Sequence, residues 1–155
     1  MAEPLISVLM GSESDSPIME NCLKVLEELG ISYEVVVLSA HRNPKELISY
    51  TEKLEERGIK VVIAGAGGAA HLPGVVAAHT ELPVIGVPLA SSPLHGVDAL
   101  YSIVQMPAGV PVGCMAVGKA GAINAAVFAA KILCLYDESF KKRLLDYKKK
   151  FRKGR

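Results

Sequence analysis

Two histidines in polar segments are the side chains best suited to move a proton. His41 lies in Ser39–Pro44 (SAHRNP) beside Arg42, and His71 lies in Ala64–Gly74 (AGAGGAAHLPG). Imidazole changes charge near neutral pH, and a guanidinium binds phosphate through its planar fork. We therefore interpret His41 as a candidate acid/base and Arg42 as a candidate phosphate ligand. For His71, orienting a ligand and a purely structural role remain equally open.

A third polar segment, Gly11–Ser16 (GSESDS), follows the first apolar run of the chain. Small hydroxyl residues at the start of a helix can hold an anion through backbone N–H groups. Asp15 would repel a phosphate but can accept hydrogen bonds from sugar hydroxyls, so the segment favours a phosphorylated sugar. The serines could equally serve only as caps and turns. No Walker lysine follows, so an ATP-binding P-loop is not supported.

The glycines before His71 match the dinucleotide-binding pattern GxGxx(G/A) when Gly65–Ala70 is read literally. That fingerprint belongs after the first strand of a fold, whereas this segment follows the third predicted strand. We instead expect these glycines to let the backbone pass close to a flat ligand.

Strands and helices alternate along the chain, which determines where the polar segments lie. The predicted strands are Leu5–Met10, Tyr33–Leu38, Lys60–Ala64, Val84–Val87 and Val110–Val117. The predicted helices, with their capping residues, are Ser16–Gly30, Asn43–Gly58, Pro73–His79, Val97–Gln105, Ala120–Leu135 and a basic helix from Phe140. Ser16 and Asn43 are predicted N-caps, each followed by a proline, and Glu46 is placed for a capping box with Asn43.

Short strands that are apolar on both faces and joined by helices are typical of a parallel sheet covered on both sides. We predict an α/β fold, a three-layer α/β/α open parallel sheet of the flavodoxin-like (Rossmann-like) kind with a C-terminal helix. Neither a linker nor a repeat interrupts the chain, so residues 1–155 are predicted to form a single catalytic domain. Ligands of such sheets bind outside the carboxyl ends of the strands, where the three polar segments would meet.

The composition excludes several classes of protein. Half of the residues are apolar and the net charge is only +1, which excludes a disordered chain. The three cysteines are far apart and lie in apolar runs, as expected of reduced thiols in a cytoplasmic protein, and they form no zinc-binding cluster with histidine. We expect neither a signal peptide nor a membrane-spanning segment, because lysines interrupt the longest apolar region.

The last part of the chain, residues 137–155, is a predicted basic helix or tail. From Phe140 to Arg155 there are nine Lys or Arg residues and one acid, whereas the preceding residues carry a net charge of −7. An amphipathic helix with a solvated basic face is predicted by the apolar residues Phe140, Leu144, Tyr147 and Phe151. Nucleic-acid binding is the alternative, but the tail lacks the interleaved aromatic residues of a stacking platform.

Six segments occur in an order that is similar to one known family. They are MGSESD (Met10–Asp15), SAHRNP (Ser39–Pro44), AGAGGAAHLPG (Ala64–Gly74), LPVIGVP (Leu82–Pro88), SIVQMPAGVPVG (Ser102–Gly113) and GKAGAINAA (Gly118–Ala126). Together they resemble the bacterial-type PurE family, the N5-carboxyaminoimidazole ribonucleotide mutases of purine biosynthesis. The resemblance runs from about Ile6 to Leu135.

The resemblance implies that a carboxylate moves from the exocyclic nitrogen of the substrate to the neighbouring ring carbon, without a metal or cofactor. It implies that His41 moves the proton, that Ser12 and Arg42 face the phosphate, and that Asp15 faces the ribose. The other pocket positions that it implies are Ser14, Ser39, His71 and Leu72. We expect Gly68 and Ala70, in the same small-residue loop, to form a tight cage around carbon dioxide.

Other functions remain open beside the mutase. A related branch that carboxylates aminoimidazole ribonucleotide directly tends to have Lys in place of Arg42 and to lack the AHLPG run. A flavin-binding module could share the fold, but the polar segments carry no Phe, Tyr or Trp. The resemblance also implies a homo-octamer, and the apolar helix Ala120–Leu135 agrees with extensive burial. The partners that we expect are a ribonucleotide substrate and other copies of the chain, not nucleic acid or membrane.

Overall fold

A five-stranded parallel β-sheet forms the centre of the fold. The computed structural model describes residues 2–153. The strands are β1 (Ile6–Met10), β2 (Tyr33–Val37), β3 (Val61–Gly67), β4 (Val84–Leu89) and β5 (Gly113–Cys114). Their order is β2-β1-β3-β4-β5, and all the pairs are parallel. This is the strand order of flavodoxin-like sheets, so the predicted fold class is confirmed.

Six α-helices within residues 2–153 cover the two faces of the sheet. They are α1 (Ser16–Glu28), α2 (Pro44–Thr51), α3 (Leu72–Ala77), α4 (Val97–Val104), α5 (Lys119–Leu133) and α6 (Ser139–Arg152). Buried residues of α1, α5 and α6 form one core with one face of the sheet, and those of α2, α3 and α4 form a second core with the other face. Both faces of the central strands are therefore dry, which explains their continuous apolar sequences.

The helix α2, which follows the segment that carries His41, is tied to the sheet by a polar cluster. Tyr50 of α2 donates a hydrogen bond to Glu34 of β2, and its hydroxyl also lies 2.6 Å from the hydroxyl of the buried Ser7 in β1. Arg57 forms an ion pair with the same glutamate. These contacts fix α2, and with it the loop before α2, against the first two strands.

Two of the strand predictions were wrong in extent. The run Val110–Val117 contains only two strand residues, Gly113 and Cys114, which pair with β4. Pro111 has no N–H to donate, so the apolar composition of the run does not translate into a strand ladder. Conversely, β3 continues past the predicted end at Ala64 to Gly67, because this stretch pairs with the end of β4.

The N-cap predicted at Ser16 was wrong, whereas Asn43 does occupy the N-cap position of α2, followed by a proline, but without the predicted capping bond. Ser16 is already helical, because a 3₁₀ turn over Glu13–Asp15, capped by Ser12, precedes it. Asn43 makes no capping bond to α2, since its Oδ1 accepts the N–H of Ser39 at 3.4 Å instead. The predicted helix end at Gly30 is confirmed, with φ = +61° in the left-handed region that glycine favours.

The basic helix α6 is amphipathic, as predicted. Leu144 and Tyr147 are buried in the core, whereas Phe151 is mostly exposed. Arg143 donates hydrogen bonds to the carbonyls of Leu29 (3.3 Å) and Gly30 (2.9 Å), so one of the basic residues closes the end of α1. Gly154 and Arg155, the last residues of the predicted tail, lie outside the described residues.

Two further observations concern the sequence expectations. The three cysteines are free thiols; Cys22 is buried, whereas Cys114 and Cys134 are half-buried. Between residues 2 and 153, no helix is long and apolar enough to span a membrane.

Candidate active site

A cleft of about 300 Å³ opens at the carboxyl ends of the first four strands. Its lining residues are Gly11, Ser12, Ser14, Asp15, Ser39, Ala40, His41, Arg42, Ala66, Gly67, Ala70, His71, Leu72 and Ser91. The cleft lies where strand order reverses between β1 and β3, which is the usual ligand position in sheets of this order. Segments that are far apart in the sequence thus meet at one edge, as the sequence predicted.

The loop after β1 holds a buried carboxylate. Asp15 Oδ2 accepts the backbone N–H of Ser12 at 3.1 Å, and Ser12 Oγ accepts the N–H of Ser14 at 3.3 Å. Burial raises the pKa of Asp15 above its ordinary value of 3.8, and the hydrogen bonds from the backbone of Ser12 and Gly11 oppose this rise in part. Ser12 therefore caps a helical turn, and the same turn brings Ser12 and Ser14 to the cleft.

The loop after β2 carries the acid/base and anion-binding candidates. Ser39 Oγ accepts the backbone N–H groups of His41 (3.3 Å) and Arg42 (3.1 Å), which fixes the turn that carries both side chains. Both side chains are exposed. Arg42 is the one Lys or Arg among the lining residues, so it is the strongest anion ligand of the cleft.

The loop after β3 makes a tight turn against the cleft. Gly68 has φ = +59° and Ala70 has φ = +40°, and Ala70 donates its N–H to the carbonyl of Gly67 at 3.0 Å. A positive φ is uncommon for a residue with a side chain and costs energy. The buried Ala70 presents only a methyl group here, and His71 and Leu72 follow at the start of α3.

The two candidate histidines contact each other across the cleft. His41 Nε2 lies 2.5 Å from His71 Nδ1, and the two rings meet edge to face with their centroids 4.6 Å apart. One ring nitrogen must donate and the other accept, so each histidine restricts the tautomer of its neighbour. This contact gives His71 a position beside His41 that the sequence left open.

Nine of the ten residues predicted for the site line the cleft, and Gly68 does not. Gly68 contributes the turn just before Ala70 instead. The residues that the sequence analysis did not single out are Gly11, Ala40, Ala66, Gly67 and Ser91. Four of these lie within the quoted motifs, although no role was assigned to them individually. Ser91 belongs to none of them, and the one signal for it was its place directly after the fourth strand.

Taken together, these groups define an α/β protein with a cleft that suits a phosphorylated sugar or nucleotide and can move a proton. Arg42 suits an anion, Asp15 can accept hydrogen bonds from hydroxyl groups, and the histidine pair can exchange a proton. No group of three or more His, Cys, Asp or Glu side chains among the described residues is arranged to hold a metal ion.

Comparison with known proteins identifies the family. The family model described as AIR carboxylase matches residues 5–154, so the chain belongs to the AIR carboxylase family. The N5-carboxyaminoimidazole ribonucleotide mutase of Bacillus subtilis is 55% identical over 142 residues, which cover 92% of this chain and 88% of that protein. The mutase of Escherichia coli K12 is 54% identical over 144 residues (93% and 85%). The mutase of Pyrococcus horikoshii is 51% identical over 147 residues (95% and 82%).

A solved structure agrees with this family. The crystal structure of Treponema denticola PurE superposes with a TM-score of 0.87 at 30% sequence identity, covering 97% of this chain and 92% of that chain. The resemblance to the PurE family that the sequence motifs indicated is therefore confirmed.

Proposed function

We propose that this protein is an N5-carboxyaminoimidazole ribonucleotide mutase of purine biosynthesis. It converts that substrate into 4-carboxy-5-aminoimidazole ribonucleotide. The observation that carries the proposal is the contact of His41 with His71 beside Arg42, in a cleft suited to a phosphorylated sugar. Relatives that are 51–55% identical over more than nine-tenths of the chain carry the same name.

The ribonucleotide is held by its charged and hydroxyl groups. Arg42 and Ser12 bind the phosphate, and Asp15 accepts hydrogen bonds from the ribose hydroxyls. The imidazole ring lies toward Ala70 and His71, with Ser14, Ser39 and Leu72 completing the pocket and Gly68 turning the loop. The exposed side chain of Arg42 and the buried carboxylate of Asp15 support this division, because they give the cleft a cationic group and a separate hydroxyl acceptor.

His41 moves the proton that balances the reaction. When the bond between the exocyclic nitrogen and the carboxylate breaks, its electron pair stays on nitrogen, which takes a proton from His41, and carbon dioxide is released. The electron-rich ring carbon then attacks carbon dioxide, and the proton on that carbon returns to His41. The net change is an isomerisation that needs no metal or other cofactor.

Confinement supplies the remaining catalysis. Carbon dioxide is already electrophilic and the aminoimidazole is nucleophilic, so the enzyme must hold the two fragments together. Such proximity is worth roughly 7–11 kcal/mol in favourable intramolecular systems. The buried Ala70 supports this role because it places an apolar methyl group in the wall of the cleft.

The functional form that we propose is a single catalytic domain assembled as a homo-octamer in the cytoplasm, without nucleic-acid or membrane partners. Four apolar side chains at helical spacing along one exposed side of α4 and the turn before it support assembly, since each is 48–63% exposed in the isolated chain. They are Leu94, Val97, Tyr101 and Val104. Removing such a stripe from water favours association.

A paired assay tests the reaction. One arm supplies fresh N5-carboxyaminoimidazole ribonucleotide at low bicarbonate, and the other supplies aminoimidazole ribonucleotide at high bicarbonate. We expect rapid turnover in the first arm and a loss of about 10²–10⁴-fold in His41→Asn, the range for one acid/base group. His79→Asn, the same change outside the cleft, is the control. Turnover in the second arm alone would instead identify a direct carboxylase.

A further inference from the structure

We propose that the hydroxyl of Ser91 binds the carboxylate that migrates during the reaction and thereby holds carbon dioxide in place between the two half-reactions. The proposal rests on the proposed function, and it extends that function to a residue outside the motifs that the sequence analysis identified. Ser91 follows the end of β4 by two residues and lines the cleft.

The first observation is the space made for this hydroxyl. A Cβ atom on Gly67 would overlap Ser91 Oγ, lie 2.9 Å from Ser91 Cβ and lie 3.2 Å from the carbonyl oxygen of Leu89. Any side chain at position 67 would therefore push the hydroxyl away from the end of β3. Glycine at this position, where φ is not in the left-handed region, is accounted for by the close approach of Ser91.

The second observation is that the hydroxyl is free. Neighbouring Ser92 is fully engaged, because its Oγ donates to Asp98 Oδ2 (2.5 Å) and accepts the N–H of Leu94 (3.1 Å). In contrast, the Ser91 hydroxyl has no hydrogen-bond partner anywhere in residues 2–153. A donor that is exposed at the wall of a cleft and does not serve the fold is available to a ligand.

The strand order decides which part of the ligand Ser91 meets. Arg42 follows β2 and Ser91 follows β4, so the two residues lie at opposite ends of the cleft, with β1 and β3 between them. Three strand spacings separate these ends by about 14 Å. If Arg42 holds the phosphate, the imidazole and its carboxylate extend toward Ser91.

The chemistry at that end requires a neutral donor. Gly67, which approaches Ser91, and the lining residues Ala66 and Ala70 have no side-chain donor, so Ser91 supplies a neutral donor beyond the one that His71 can offer. The carboxylate accepts a bond from Ser91 before the nitrogen–carbon bond breaks and again after the carbon–carbon bond forms. Between these two steps, carbon dioxide is neutral. A hydroxyl can orient carbon dioxide, whereas a cation in its place would bind the carboxylate more strongly than a hydroxyl does.

Binding measurements with Ser91→Ala test the proposal independently of turnover. Two probes are titrated into the full-length protein by calorimetry: the product 4-carboxy-5-aminoimidazole ribonucleotide and the decarboxylated 5-aminoimidazole ribonucleotide. We expect Ser91→Ala to weaken binding of the carboxylated probe roughly 10- to 100-fold, as for a lost hydrogen bond to a charged group. Binding of the decarboxylated probe should weaken less than about twofold. Ser49→Ala, an exposed serine of α2 outside the cleft, should change neither.

A second variant displaces the hydroxyl without removing it. Gly67→Ala should reproduce the selective loss of the carboxylated probe, and both variants should release more free aminoimidazole ribonucleotide per turnover than the wild type. Equal weakening of both probes, or no weakening, would overturn the role of Ser91 and leave the mutase proposal standing. If binding of the carboxylated probe is weakened selectively but the wild type fails the paired assay, Ser91 does bind the carboxylate and the mutase proposal is overturned. A wild type that binds neither probe would overturn both the role of Ser91 and the mutase proposal.

Discussion

The buried carboxylate of Asp15 is suited to bind the ligand, but its burial lowers the stability of the folded protein. The side chain is 6% exposed, and desolvation is the largest effect on its pKa. Because the pKa in the folded state is raised above 3.8, the folded protein takes up a proton more readily than the unfolded chain. Folding is therefore penalised as the pH rises from 3.8 through the raised pKa, and the penalty is fully present above that pKa. The protein retains a group that destabilises it, as expected of a residue kept to bind ligand.

Asp15→Asn tests this conflict. The amide keeps an oxygen for the N–H of Ser12 but has no charge to desolvate, so we expect a higher unfolding temperature than the wild type at pH 7. The difference should shrink as the pH falls through the raised pKa and then below 3.8, where the wild-type carboxyl becomes protonated in both states. The KM for the ribonucleotide should rise at the same time. Thermal unfolding at several pH values measures the first effect, with the exposed Glu13→Gln as control. A deficit in stability that does not depend on pH would contradict the prediction.

Residue types indicated most of the site, and residue contacts account for what was missed. His41 and Arg42 were recognisable because their chemistry is distinctive at the predicted end of a strand. Ser91 was not recognisable, because a serine in a loop has many roles and only the approach to Gly67 distinguishes this one. The capping bond predicted at Asn43 is absent because the side chain instead accepts a backbone N–H from four residues earlier.

At the scale of elements, small residues decide how closely α5 lies to its neighbours. One face of α5 is a buried row of small side chains that packs against α1 and the sheet: Gly121, Ala122, Ala125, Ala126, Ala129 and Ala130. The opposite side exposes Asn124, Phe128 and Lys131. The sequence predicted burial on most sides of this helix, and the chain itself buries or half-buries all but the side that carries Asn124, Phe128 and Lys131.

Gly121→Ala probes this packing. A Cβ at Gly121 would overlap the carbonyl oxygen of Ala116 and lie 2.7 Å from its carbonyl carbon, and backbone atoms cannot rotate away as a side chain can. We expect a loss of unfolding free energy at the upper end of the roughly 1–3 kcal/mol that overpacking costs. Urea denaturation measures it, and Asn124→Ala on the exposed face of the same helix should change stability by less than about 0.5 kcal/mol. Equal stability of the two variants would show that the loop at Ala116 yields freely.

The elements were predictable where burial on both faces made their sequences continuous and apolar, as in β1 and β4. Prediction failed at β5, where Val110–Val117 has a similar composition. Its ladder pairing is limited to Gly113 and Cys114, and Pro111 before them has no N–H with which to extend the ladder in that direction. Composition reports burial, whereas a strand also requires partners for its backbone groups.

For the whole molecule, the exposed stripe on α4 bears on assembly. If the stripe is an interface between subunits, Tyr101→Lys would bury a charge there on assembly. The variant should therefore form smaller oligomers or monomers. Sedimentation should give about eight times the 16.4 kDa chain for the wild type and a lower mass for the variant. Leu135→Lys is the control, since Leu135 is more exposed but lies apart from the stripe. A wild-type protein that sediments as a stable monomer would contradict the octamer.

The cleft draws its walls from the ends of four strands that are spread over most of the chain, from Gly11 to Ser91. A chain in which β2 or β4 has detached from the sheet therefore loses one end of the site. A nucleotide that spans the cleft therefore contacts the ends of all four strands and links them. Its binding free energy adds to the stability of the folded state. On binding, the exchange of amide hydrogens should therefore become slower in all four strands.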